Sequence, residues 1–128
     1  MKGIRLFIRP ATPEDHPRLT AFREREGRVA SPVQPNELIG FLLGDLVASI
    51  AFDVNGETLT IRDFWVAQNL RRKRIARAML AELDGEAHRH GTTRIAVRPS
   101  SEFVEAFRRL GFTPEPDGTL VRTVERVS

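Results

Sequence analysis

TLTIRDFWVAQNLRRKRIARAMLAELDGEAHR, residues Thr58 to Arg89, changes its period once, and that change decides the fold. Thr58 to Val66 alternates in the manner of a strand. From Ile75 onward the apolar residues Ile75, Ala76, Met79, Leu80, Leu83 and Ala87 recur at helical spacing. The spacing predicts an amphipathic helix over Arg72 to about His90, stopped by Gly91. Gly85 inside it costs roughly 1 kcal/mol relative to Ala. Between strand and helix lies a basic run, Arg71-Arg72-Lys73-Arg74, with Arg77 one turn further on. A helix N-terminus placed directly after a strand presents free N–H groups and a positive dipole end, which suits phosphate groups.

Working outward, Ile4 to Arg9 alternates as a strand. Thr12-Pro13-Glu14-Asp15 reads as a helix start, with a Thr cap, a first-turn Pro and two acids. That helix runs through Leu19 and Phe22 to about Glu26, with Gly27 as its stop. Arg28 to Glu37 carries two prolines and no period, so it is a loop. Leu38 to Leu43 and Leu46 to Val54 are strands joined at Gly44-Asp45. Asn55-Gly56 is the strongest hairpin signal, read as a turn with positive φ at both central positions. Three antiparallel strands therefore precede the helix. Thr92 to Arg98 follows it as a strand, and a strand, a crossover helix and a strand in one sheet imply parallel pairing. A second helix opens at Pro99-Ser100-Ser101-Glu102, buries Phe103, Phe107 and Leu110, and stops at Gly111. A short strand from Phe112, a turn over Glu115 to Gly118 and a strand over Thr119 to Val127 complete the chain. The expected order is β-α-β-β-β-α-β-α-β-β, an α/β single domain over 1–128.

Composition narrows the function. The 128 residues contain no Cys and no Tyr, and 18 of the 20 basic residues are Arg. The absence of Cys removes disulfides, thiolate nucleophiles and cysteine metal sites, and no metal is expected. There is no apolar run long enough for a membrane helix, and the N-terminus is too polar for a signal peptide, so a cytoplasmic protein is expected. Net charge is +3. The Arg cluster suits an anionic ligand, because guanidinium binds phosphate bidentately, and it equally suits a solvated face. His16, His88 and His90 read as surface residues.

The run IRDFWVAQNLRRKRIARAMLAELDGEAHRHGTTRIAV followed by SSEFVEAFRRLGF resembles the GNAT superfamily of acyl-CoA-dependent N-acyltransferases. The resemblance implies a strand end like Asp-Phe-Tyr-Val, here Asp63-Phe64-Trp65-Val66. It implies a loop of the form Gln/Arg-x-x-Gly-x-Gly/Ala whose amides hold the pyrophosphate of coenzyme A, here Arg71-Arg72-Lys73-Arg74-Ile75-Ala76. It implies a final Leu-Gly-Phe, here Leu110-Gly111-Phe112. The departures are Arg72 and Arg74 at positions where the family carries Gly. Such arginines either block the phosphates or, in helical backbone, point outward and add charge-assisted bonds. Phe107 stands where the family often has the Tyr that protonates the leaving thiolate, and Ser100 where it often has Asn.

What the resemblance implies is transfer of an acetyl group from acetyl-CoA to a primary amine by direct attack in a ternary complex. Trp65, Val66, Ala67, Arg71 to Ala76, Ser100 and Phe107 would face the cofactor. Positioning supplies most of such a rate, with a backbone N–H near Val66 polarising the thioester carbonyl. Asp63 and Glu57 are the candidate general bases; as a strand residue, Asp63 equally suits an ion pair with Arg62 or Arg94. Trp65 suits either the core or a cleft wall. The acceptor is a small-molecule, peptide or protein amine, and a shortened Arg28–Glu37 segment favours a larger one. The protein is expected as a monomer or homodimer. Two alternatives stand beside this reading: a catalytically degenerate module that binds CoA or a protein partner, and a basic nucleic-acid-binding protein. Against the latter, the chain has no DNA- or RNA-binding motif and few aromatics near the cluster.

Overall fold

The computed structural model describes residues 6–29, 35–71 and 74–124. Its elements in chain order are β1 (Leu6–Pro10), α1 (His16–Arg25), β2 (Glu37–Leu42), β3 (Asp45–Asn55) and β4 (Thr58–Val66). They continue as α2 (Ile75–Arg89), β5 (Arg94–Val97), α3 (Val104–Arg109), β6 (Thr113–Pro114) and β7 (Leu120–Thr123). Short 3-10 turns at Pro13–Asp15, Gln68–Leu70 and Ser101–Phe103 precede the three helices. The order matches that expected from periodicity. Seven strands among the described residues form a mixed sheet in the order β1-β2-β3-β4-β5-β7-β6. The β4–β5 pair is parallel, as a helical crossover between them requires.

Compactness divides the chain into two units. The first contains the residues up to Ala51 together with Asp63–Leu80. Here β2 pairs antiparallel with β1 and with β3, and all six of its residues are buried. Gly40 of β2 is a close-approach position: a Cβ there would lie 3.0 Å from the Met79 sulfur of α2. Immediately after it the register shifts, because Gly40 pairs with Ala48 but Phe41 pairs with Leu46. Val47 is the extra residue of this bulge, and its carbonyl accepts the Ala67 N–H at 2.8 Å. Leu19 and Phe22 of α1 are fully buried. Beside them, Arg23 donates to Glu37 at 2.5 Å, an ion pair with 4% and 0% of its side chains exposed. The β2–β3 turn places both Leu43 (φ 53) and Gly44 (φ 88) in the left-handed region.

The second unit contains Phe52–Arg62 and the chain from Ala81 on. Its strands pair as β4 with β5, β5 with β7 and β7 with β6. Leu59, Leu83, Ile95 and Leu120 are fully buried in it. Asp84 of α2 is buried and receives Arg122 of β7 at 2.6 and 2.7 Å. The Leu110-Gly111-Phe112 triplet has a local explanation. Gly111 takes φ +97, and a Cβ there would meet the Arg122 side chain at 3.4 Å. Phe112 is thereby turned inward, edge-on to Phe107 with ring centroids 5.3 Å apart.

Two expectations change. Helix α2 spans Ile75–Arg89 and Arg74 before it is not helical, while Arg72, the expected first residue, lies outside the described residues. The β3–β4 turn is centred on Gly56 and Glu57, not on Asn55 and Gly56, and only Gly56 has positive φ. That is the pattern of a hairpin with Gly at the first central position. The turn with two positive φ values is the one at Leu43-Gly44.

Candidate functional site

In the first unit, β4 runs through Asp63, Phe64, Trp65 and Val66 into Ala67, the Gln68–Leu70 turn, Arg71 and, beyond Arg72 and Lys73, Arg74 and α2. Arg72 and Lys73 lie outside the described residues. Arg74 is exposed and has φ 62. It is therefore left-handed rather than helical, a conformation that costs a non-glycine residue about 1–2 kcal/mol. This explains why glycine suits the position, and the helical backbone on which one of the two alternatives depended is not what Arg74 adopts. Its carbonyl accepts the Ala78 N–H at 3.2 Å, the first described bond of the α2 ladder. The amides of Ile75, Ala76 and Arg77 precede that bond, at the positive end of a helix that spans 15 residues.

The end of α1 meets this stretch. Gly27 (φ +74) terminates the helix, with Gly27 N–H bonding to the Glu24 carbonyl and Arg28 N–H to the Arg23 carbonyl. That is a complete Schellman motif, and it fixes Glu26 and Arg28 on either side of the glycine. Glu26 reaches across with one carboxylate oxygen. Oε1 accepts the Trp65 indole N–H at 2.9 Å and the Gln68 backbone N–H at 2.9 Å. The Arg28 guanidinium lies 4.2 Å from the Trp65 ring centroid and donates to Asp63. The Arg71 guanidinium lies 4.3 Å from the same ring, and its Nε–H donates to the Val66 carbonyl at 3.1 Å. Trp65 is thus a half-buried ring held by a carboxylate and two cations.

The structure brings together Asp63, Trp65, Val66, Ala67 and Arg71 from the expected set, with Arg74, Ile75 and Ala76 next along the chain. Asp63 pairs with Arg28 instead of Arg62 or Arg94. Those arginines have other partners: Arg62 with Asp53 at 2.9 Å and Arg94 with Glu115 at 3.5 Å. Glu57, Ser100 and Phe107 belong to the second unit. Glu57 accepts the Thr93 hydroxyl at 3.1 Å. Ser100 is exposed and caps the turn before α3, its carbonyl accepting the Phe103 N–H at 2.9 Å. Phe107 is a buried ring packed on Phe112. Glu26 and Arg28 were not expected at the site. They lie 39 and 35 residues from their partners on β4, and neither has a local motif that announces it.

Among the described residues no cluster of three His, Asp or Glu side chains is arranged to hold a metal ion. No helix among them is long and apolar enough to cross a membrane.

Residues 4–112 match the profile of the Acetyltransferase (GNAT) family. The chain belongs to that family. Solved structures share its fold at low identity. One is a ribosomal-protein-S18-alanine N-acetyltransferase from Escherichia coli, 16% identical over 97% of each chain with a TM-score of 0.76. Another is the N-acetylglutamate synthase of Neisseria gonorrhoeae complexed with coenzyme A and L-arginine, 17% identical. It matches 98% of this chain and 34% of its own length, with a TM-score of 0.80. A third is a GNAT family N-acetyltransferase from Escherichia coli in complex with CoA, 17% identical. That one covers 98% of this chain and 84% of its own, with a TM-score of 0.73. No curated protein sequence matches the chain.

Proposed function

We propose that residues 1–128 act as one GNAT-type domain that transfers an acetyl group from acetyl-CoA to a primary amine. The observation that carries this reading is the junction of β4 and α2 in a member of this family. The strand leads through the Gln68–Leu70 turn towards a left-handed residue, Arg74, and the N-terminal amides of a 15-residue helix. The donor set fits a pyrophosphate: backbone N–H groups at Ile75 and Ala76, preceded in sequence by the exposed Arg74. CoA complexes among the structures of the same fold support it.

In the proposed reaction the amine nitrogen attacks the thioester carbonyl carbon, the carbon–sulfur bond breaks, and the amine's proton ends on the departing thiolate. The chain's own part is to hold the cofactor along β4 and α2, to polarise the carbonyl with a β4 amide, and to bring the amine within reach. With no Tyr or Cys in the chain and a phenylalanine ring at position 107, the thiolate takes its proton from the ammonium, through water. Asp63 is the base candidate on the same strand, and it becomes available when Arg28 moves off its carboxylate. Glu57 is the second candidate. The acceptor is a small-molecule, peptide or protein amine, in line with the protein alanine and amino-acid chemistry that the names of two similar structures carry.

A second reading keeps the cofactor and drops the chemistry. Arg74 in a strained backbone and Phe107 in place of Tyr favour a module that binds CoA without turnover. Titration with acetyl-CoA and desulfo-CoA, followed by thiol release against an amine panel, separates the two. Binding with thiol release supports the enzyme, binding alone supports the module, and no binding at millimolar ligand rejects both. Arg74→Glu is expected to weaken CoA about tenfold, the scale of one lost charge-assisted bond and a new repulsion. Arg89→Glu, at the last turn of α2 and paired with Glu86, is expected to change it less than about twofold. Equal effects would refute a phosphate role for Arg74.

A further inference from the structure

The acceptance of two donors by one oxygen of Glu26 has a functional meaning. The backbone of Glu26 is fixed by the Schellman motif at the end of α1. From there, Oε1 holds the indole N–H of Trp65 and the amide that opens the Gln68–Leu70 turn. That turn is the entry to Arg71, Arg74 and the start of α2. Within the turn itself, Leu70 N–H bonds to the Ala67 carbonyl at 2.9 Å. The cations on the Trp65 ring, Arg28 and Arg71, tie the same strand end to Asp63 and to the Val66 carbonyl. The carboxylate is therefore the link between the end of α1 and the turn that follows β4.

We propose that Glu26 is a positioning residue for cofactor binding, acting through the Trp65 indole and the Gln68 amide; this rests on the acyltransferase reading above. Both donors are neutral N–H groups. What the role requires is an acceptor oxygen at this point rather than a negative charge. A glutamine carbonyl can accept both bonds, whereas an alanine accepts neither.

The test compares the unaltered chain with Glu26→Gln, Glu26→Ala and Trp65→Phe. CoA affinity is measured by calorimetry, KM and kcat with acetyl-CoA as the varied substrate, and the emission of Trp65, the chain's only tryptophan. Glu26→Ala is expected to weaken CoA and raise KM about tenfold with kcat within about twofold, and Glu26→Gln to restore both. Emission of the ligand-free Glu26→Ala chain shifts to the red, and exchange of the residue-68 amide quickens. The glutamine variant shows neither change. If the alanine variant does not fold, Trp65→Phe, which removes one donor and keeps an aromatic ring, is expected to weaken CoA about threefold. An alanine variant with unaltered affinity overturns the proposal. So does a glutamine variant as weak as the alanine one, or one that loses kcat at unchanged KM, which would make Glu26 a base. If the unaltered chain binds no CoA, the acyltransferase reading fails by itself. Ligand-free emission and amide exchange then still decide whether Glu26 positions the segment.

Discussion

Asp15 closes the turn before α1 and also pairs with Arg9 of β1. It accepts two bonds from the guanidinium at 2.7 and 2.8 Å and one from the Thr12 N–H at 2.8 Å. The Arg9 guanidinium holds the carboxyl well below the usual carboxylate range; burial opposes this and Thr12 reinforces it. A carboxyl with a lowered folded pKa contributes stability that is present above its unfolded value of about 4 and is lost as pH falls below that. Asp15→Asn is therefore expected to cost about 1.5–3 kcal/mol at pH 7, with a smaller cost at pH 3. Urea unfolding at both pH values checks this. A gap that stays constant with pH would mean the ionised carboxylate is not its source. The helix start was legible in Thr12-Pro13-Glu14-Asp15, a local pattern, with Thr12 read as the cap and Asp15 as a first-turn acid. The Arg9 partner was not, because strand alternation gives the face of Arg9 but not what reaches it. Arg74 shows the same limit. Apolar spacing marks Ile75 as the first core residue of α2, but it carries no information about φ one residue earlier.

At the level of elements, the segment between α1 and β2 is tied at both ends. Arg23 sits in the last turns of α1 and Glu37 is the first residue of β2, and their ion pair is buried. Glu37 also offers its carbonyl to the Ala11 N–H at 2.8 Å. The two charges are buried against each other, so Glu37→Leu or Arg23→Met alone is expected to cost about 3–5 kcal/mol. The double substitution is expected to recover most of that loss. Denaturant unfolding of the two single variants and the double variant gives the coupling directly, and additive losses would show that the pair is not a unit. Sequence placed both residues near element ends and gave no sign that either was buried. Charged residues read as surface unless a partner is known, and this partner is 14 residues away. The hairpins repeat the lesson. Their positions were legible from Gly44-Asp45 and Asn55-Gly56, whereas which residues occupy the central positions depends on strand register, which a dipeptide does not set.

For the whole molecule, the order of strands and helices, the parallel β4–β5 pair and the family were all legible. Each follows from periods and short motifs that repeat along the chain. The cluster around Trp65 was legible only in half. The β4 residues and Arg71 came from one continuous run. Glu26 and Arg28 join it through polar contacts across long stretches of chain, and such contacts leave no period. Stability of the whole chain also rests on places far from any site. Leu43, at the β2–β3 turn, is 91% exposed and holds a left-handed backbone for which a leucine side chain is poorly suited. It therefore spends folding free energy without burying apolar surface in return. Leu43→Asn keeps the turn and supplies a residue that tolerates that geometry. The exchange is expected to raise the melting temperature by about 2–5 °C, from a gain of about 0.5–1 kcal/mol. A scanning calorimetry trace with an unchanged or lower midpoint would count against it. The most exposed leucine of the chain is thus also an entry point for making the protein hardier.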